Sequence, residues 1–406
     1  MAQPNDIDRQ ATELAARLAP GPRIGIIGGT RMTHPGSEDI CRQIGRRLAA
    51  MPDQTLLTGG VAGIGDTIGR AYFQTRRDIG MRGEVVHLLP QGVVGPDYGR
   101  TETAGTDMST RREILGRLAG VYVAVEGGAG TAHECRIADA NGALIVPVGA
   151  TGGAAAASYA GRQCPAACPE GDWRMIGDAA SPPLAVAAAT VGIVATLLVL
   201  QGPEADFDPY RFARHRDIRN RLARAFTSAL DRESDEPLNR FRDRLPRRIP
   251  PAVAATIDHR CRVYSRAITR ARQRPAGAAV PRFALLWNMG LYFEAHEMLE
   301  TRWRLTQGDL REALKGLVQA AGAMALWQMG RRPAAARLAA RAGRHLRGHA
   351  AELSTLANLD ELASMMSGDS PLAPMPLIVT PAALAAPAPA EHPDARIQHP
   401  PADTPR

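Results

Sequence analysis

Lysine is almost absent from this chain of 406 residues: Lys315 is the single one, and arginine supplies the other 48 of its 49 basic side chains. GC-rich coding accounts for such a bias, but its consequence is chemical. Schiff-base formation needs an amine, and this one lies far from the glycine-rich segments nearer the N-terminus. Aromatic residues make up only 4% of the chain, so its cores must be built from Ala, Leu, Val and Ile. Cysteine is scarce and odd in number, at Cys41, Cys135, Cys164, Cys168 and Cys261. That pattern argues against a disulfide framework, and Cys164 and Cys168 have no second Cys or His pair to complete a metal site. The first twenty residues carry Asp6, Asp8 and Glu13 and lack the apolar core of a secretory signal. A reducing cytoplasm is the expected location. The uncharged run Leu184–Leu200 is 17 residues long. As a helix it would span about 25 Å, short of the roughly 30 Å hydrocarbon layer. With five alanines, Thr190, Gly192 and Thr196, and no flanking basic cluster, it reads as a buried closing helix and not a membrane span.

What is present divides along the chain. At this length two domains are expected. Residues 23–202 alternate short apolar runs with amphipathic stretches. Strands are expected at Arg23–Ile27, Thr55–Leu57, Glu84–Leu89, Val121–Val125 and Leu144–Val148, with helices between them. That alternation predicts an α/β domain, a Rossmann-like parallel sheet with helices on both faces, preceded by an N-terminal extension at 1–22. Between Asp206 and Arg274 there are 18 arginines against 9 acids. Residues 203–280 therefore read as an arginine-rich helical connector, with a nucleic-acid surface as an alternative role. Its aromatics are sparse, which weakens a base-stacking platform. Residues 281 to about 350 read as helical throughout, within an expected C-terminal all-α domain at 281–366; 367–406, rich in Pro and Ala, read as a disordered tail.

Parallel sheets bind ligands beyond the carboxyl ends of their strands, and the glycine pairs Gly28–Gly29 and Gly59–Gly60 sit there. The most informative stretch is Val121–Glu134, where a buried strand runs into Glu126-Gly127-Gly128-Ala129-Gly130 and then a helix expected over Thr131–Asn141. A helix start carries unpaired N–H groups and partial positive charge, both favourable to phosphate. Glycines at 127, 128 and 130 let an anion approach the backbone, and Thr131 is placed to cap the helix or donate to a phosphate oxygen.

Four segments in order resemble the lysine-decarboxylase-like LOG proteins. Thr58-Gly59-Gly60 with Gly63-Ile64-Gly65-Asp66 resembles their second glycine loop, and Glu84–Pro90 their third strand. Met108-Ser-Thr-Arg111-Arg112 resembles Met-x-x-Arg-Lys, and Glu126–Glu134 resembles Pro-Gly-Gly-x-Gly-Thr-x-x-Glu. The superfamily unites LOG-type phosphoribohydrolases, molybdenum-cofactor carrier proteins and DprA/Smf-like sensor domains. The resemblance implies a nucleotide-like phosphate ligand, with the domain acting as sensor, carrier or processing unit. In the enzymatic version it implies hydrolysis of the N-glycosidic bond of a nucleoside 5′-monophosphate. Glu134 would then be the carboxylate at the ribose and Arg111 the positioning cation. Two positions depart from the pattern: Glu126 stands where the family has proline, placed either to repel a phosphate or to bind a ribose hydroxyl, and Arg112 stands where it has lysine. The resemblance also implies a homodimer with the site near the interface; no cofactor is expected.

Trp287–Trp303, continuing through Ala313–Gln319 to the Gly330 turn and the helix at 334–346, resembles the signature of domain-of-unknown-function family 309. That implies a helical fold and does not assign a reaction. His296 and Glu300, four apart, share one helix face, with Glu297 adjacent and Gln319 on the next helix. They read as a buried hydrogen-bonded network, with a ligand contact, or metal ligation by His296 and Glu300, as alternatives.

Overall fold

The structure is a computed structural model that describes residues 4–52, 54–201, 207–245, 249–272 and 279–385. Helix α1 (Pro4–Arg17) is followed by β1 (Arg23–Gly28), α2 (Ser37–Leu48), β2 (Thr55–Thr58), α3 (Ile64–Asp78), β3 (Glu84–Leu89), β4 (Arg100–Thr103), α4 (Met108–Leu115), β5 (Val121–Val125), α5 (Ala129–Ala140) and β6 (Leu144–Val148). The strands form one six-stranded sheet in the order β4-β3-β2-β1-β5-β6, every pairing parallel. Five of the six were expected. The sixth, β4, has the sequence Arg-Thr-Glu-Thr and is mostly exposed. An edge strand with no apolar pattern leaves no periodicity to read.

Side chains alternate across the sheet, and the two faces fill differently. Ile24, Ile26, Val121, Val123 and Val125 point into one large core with α2, α3 and the later helices. Ile27, Leu57, Val86, Tyr122 and Ala124 point into a smaller core with Leu14 of α1, Ile114 of α4 and Ala138 of α5. The expected N-terminal extension is thus a helix covering the sheet. Gly25 of β1 makes room for Tyr122: a Cβ at position 25 would lie 2.2 Å from the ring. The Tyr122 hydroxyl in turn donates to the Leu115 carbonyl and accepts from the Ala119 amide.

After β6 come α6 (Gly153–Ala160), α7 (Glu170–Gly177) and α8 (Pro183–Gln201). No helix among the described residues is long and apolar enough to cross a membrane. The expected closing helix is α8, which contacts α2, α7, β5 and β6 and buries Val186, Val191, Ile193 and Val194.

The arginine-rich stretch contributes α9 (Ala213–Asp231), α10 (Glu236–Asp243) and α11 (Pro251–Ala271). Their apolar faces, including Leu222, Phe226, Leu238, Ile257 and Tyr264, join the large core. It therefore packs as part of the helical domain; most of its described arginines are exposed, while Arg219 and Arg260 turn inward to Phe293 and Glu294. The domain continues with α12 (Ala279–Asn288), α13 (Tyr292–Leu305), α14 (Gly308–Gln328), α15 (Arg332–Gly348), α16 (Leu359–Ser367) and α17 (Pro381–Ala385).

The expected disordered tail requires correction over residues 370–379. Ala373, Met375 and Leu377 are fully buried. The Trp287 indole donates to the Met375 carbonyl (2.8 Å), and Asn288 both donates to the Leu377 carbonyl (2.8 Å) and accepts from its amide (2.7 Å). A few large apolar residues in a Pro-rich segment are enough once neighbouring side chains satisfy its backbone. The remainder of the expected tail, 386–406, lies outside the described residues.

The domains share their core. Arg47 of α2 is fully buried, 3.7 Å from Glu361 of α16. The close packing at Gly25 yields a test. Gly25→Ala is expected to lower stability by about 1–3 kcal/mol through overpacking. Denaturant unfolding should show part of that loss restored in Gly25→Ala/Tyr122→Leu.

Candidate functional site

Strands β1, β2 and β5 end together, and the turns leaving them enclose a cleft of about 180 Å³. It is lined by Gly28, Gly29 and Thr30 after β1, by Gly59, Val61, Ala62 and Gly65 after β2, and by Gly128, Gly130, Thr131 and Glu134 after β5; Met108, Arg111 and Arg112 of α4 close it. Of the residues expected at the site, Gly28, Gly29, Gly59, Arg111, Arg112, Gly128, Gly130, Thr131 and Glu134 converge here. Gly60, Gly127 and Glu126 do not line it. Thr30, Val61 and Ala62 were not anticipated; they follow the glycine pairs directly, and that position was their only signal.

The turn after β5 is shaped by two positive φ angles, +48° at Glu126 and +85° at Gly127. At Gly127 a Cβ would also lie 2.1 Å from the Thr131 hydroxyl, so only glycine fits. Helix α5 begins at Ala129, two residues earlier than the sequence indicated, with Gly128 as its N-cap. Thr131 therefore lies inside the first turn and does not cap the helix. The first intrahelical bond runs from the Ala132 amide to the Gly128 carbonyl. The amides ahead of it have no partner within the helix and carry the positive end of its dipole.

Two arginines lean onto glycines. A Cβ on Gly59 would meet Arg111 Nη1 at 2.9 Å, and one on Gly130 would meet Arg112 Nη2 at 3.0 Å. Arg111 Nη1 donates to Glu134 Oε1 at 2.8 Å, and both side chains are buried. Burial pushes the Glu134 carboxyl above its ordinary pKa despite the charges of Arg111 and Arg112, and it pushes the Arg111 guanidinium down despite Glu134. Arg111 Nε has no partner. A buried pair with a spare donor in a cleft is suited to exchange contacts with an incoming polar group.

Glu126 points elsewhere. Its carboxylate accepts from the Thr33 amide (2.9 Å), the Thr33 hydroxyl (3.2 Å) and the His34 amide (2.9 Å), tying down the turn after β1. Its own amide donates to Thr151 Oγ1. Burial alone would raise its pKa, but donors at Ser37, His34 and Thr33 together hold it below the ordinary value. The acid that replaces the family's proline thus organises the neighbouring loop. His133 pairs with Glu113 at 3.1 Å and is not among the cleft's lining residues.

A larger cavity, about 490 Å³, lies between the domains, where Arg219 stacks on Phe293 and Arg332 on Trp327. Its lining includes Gly330, at φ +68°, just ahead of α15, whose first residue is Arg332. On the arginine-rich helices, Arg221, Arg224, Arg232, Arg240 and Arg244 surround a shallow groove. His296 and Glu300 lie on α13, away from the cleft. The expected His/Glu hydrogen bonds are not formed: Nε2 of His296 is 4.0 Å from both Glu297 and Glu300.

The all-parallel sheet and its glycine-lined cleft define a Rossmann-like α/β domain, followed here by a helical domain. Residues 22–163 match the family model described as the SLOG cluster4 family, and residues 281–338 match the domain of unknown function DUF309. The chain is a fusion of these two domain types. No curated protein matches it. A solved structure titled as the X-ray structure of TM1055, a structural genomics target, is 28% identical; the match covers 34% of this chain and 81% of that one, with a TM-score of 0.31.

The contacts of Glu126 set a pH dependence. Its depressed pKa means that the charged form stabilises the fold above the unfolded value of about 4.5, an increment lost as pH falls through the lower folded value. Glu126→Gln should therefore melt below the unaltered protein at pH 7, with the gap narrowing under acid. Thermal melts from pH 7 to 3.5 would measure it.

Proposed function

We propose that the cleft binds a nucleotide-type phosphate ester. The observation that carries this reading is the convergence of Gly128, Gly130, Arg111, Arg112 and Glu134 on one cleft at the N-terminus of α5. The phosphate would rest against the free amides of the first turn, with Arg112 as its counter-charge. The Arg111–Glu134 pair would meet the sugar, its carboxylate accepting from ribose hydroxyls. At about 180 Å³ the cleft suits a sugar phosphate, leaving the base toward the outside.

The raised pKa and burial of Glu134 favour a second, enzymatic version of the same site. Breaking the bond between C1′ and the base nitrogen builds positive charge on the sugar, which a nearby carboxylate stabilises. Glu134 would first give its proton to the leaving base nitrogen, and the carboxylate so formed would stabilise the sugar cation and take a proton from the water that adds to C1′. The products would be a free base and ribose 5-phosphate.

Calorimetric titration with AMP, ribose 5-phosphate and adenosine tests the binding reading. The two phosphate esters should bind and adenosine should not, and Arg112→Met should weaken AMP by about tenfold or more. Equal binding of adenosine and AMP, or an unchanged affinity in Arg112→Met, overturns it. Chromatography of AMP incubated with the protein separates the versions. Adenine release abolished in Glu134→Gln supports hydrolysis, whereas binding without release leaves a sensor or carrier.

A further inference from the structure

On the helical domain, three side chains of α13 form a set that the cleft does not use. His296 and Glu300 stack one turn apart, and Glu297 reaches toward them from the adjacent position. One ligating atom from each lies within 4.8 Å of the others. All three residues are half-buried and reachable from solvent.

The hydrogen-bonding of the imidazole decides what the set can do. His296 Nδ1 lies 2.9 Å from the Val318 carbonyl oxygen of α14. A carbonyl only accepts, so Nδ1 carries a proton and donates it. In the neutral ring Nε2 then holds a lone pair. That lone pair faces Glu297 Oε1 and Glu300 Oε2, each 4.0 Å away. The separation is too long for a hydrogen bond, and three acceptors gathered around one point repel unless a metal ion, or a second proton on the imidazole, sits between them. Both ends of the set are held from outside: the Val318 carbonyl orients the ring, and Glu300 Oε1 accepts from Arg304 Nη2 at 2.9 Å. Contacts of this kind orient metal ligands.

We propose that His296, Glu297 and Glu300 bind a first-row divalent transition-metal ion, zinc or manganese. Zinc takes nitrogen and oxygen ligands at about 2.0–2.2 Å, so each 4.0 Å separation needs to close by roughly half an ångström through glutamate rotation. The imidazole nitrogen selects against magnesium and calcium, which favour oxygen ligands. Three protein ligands leave a coordination position open, as in catalytic and not structural zinc sites. The reading is independent of the phosphate cleft, which lies in the other domain.

The test uses the full chain purified without a metal-affinity tag, stripped with chelator and dialysed against zinc or manganese in the presence of excess magnesium. One equivalent per chain is expected. Glu300→Gln and His296→Ala should each weaken binding by about a hundredfold or more, since altering only the outer contacts of a site costs about 10- to 100-fold. Cobalt loaded in place of zinc should give visible absorption bands that Glu297→Gln alters or abolishes. Should His296→Ala fail to fold, the near-isosteric Glu297→Gln and Glu300→Gln carry the test. No stoichiometric binding, displacement by magnesium, or full affinity in the glutamine variants overturns the proposal.

Discussion

An all-parallel sheet must be covered on both faces, and this requirement organises the whole molecule. One face is closed locally by α1, α4 and α5 around Leu14, Ile114 and Ala138. The other carries α2, α3 and α8, which extend the same apolar core into the helical domain. Arg47 of α2, buried beside Glu361, marks how complete that continuity is. The two domain types are therefore joined by shared packing as well as by chain. The segment around Met375 and Leu377, hydrogen-bonded to Trp287 and Asn288, completes the far side of that core.

Within this frame the cleft is built from backbone and charge together. Positive φ at Glu126 and Gly127 turns the chain so that α5 starts with bare amides facing the ends of β1 and β2. Glycines at 59 and 130 admit two guanidinium groups. The Glu126 carboxylate is occupied by the loop after β1, so its charge is spent on amides and a hydroxyl before any ligand arrives. Glu134 keeps a buried position opposite Arg111, where its protonation and its partner can both change.

Much of this was legible in residue order. Apolar runs such as Val121–Val125 mark buried parallel strands, and the glycines that follow β1, β2 and β5 mark the strand ends where a ligand cleft is expected. The edge strand Arg100–Thr103 was not legible, because an exposed strand has no need of apolar alternation. The packed segment 370–379 was not legible either, since its backbone partners, Trp287 and Asn288, lie about 90 residues away. The start of α5 was placed two residues late, because glycine and alanine at 128 to 130 carry no capping side chain to mark it.

The sequence by itself determined five of the six strands and their intervening helices, the glycine turns and the two domain types, because these depend on local periodicity and on backbone freedom. Only the tertiary structure decided where the charges went. Glu126 bonds to the loop after β1, Arg111 to Glu134, and His296 to a carbonyl that leaves its other nitrogen facing two carboxylates. Such pairings join residues from separate elements and turn on distances of a few ångströms, which no local pattern encodes.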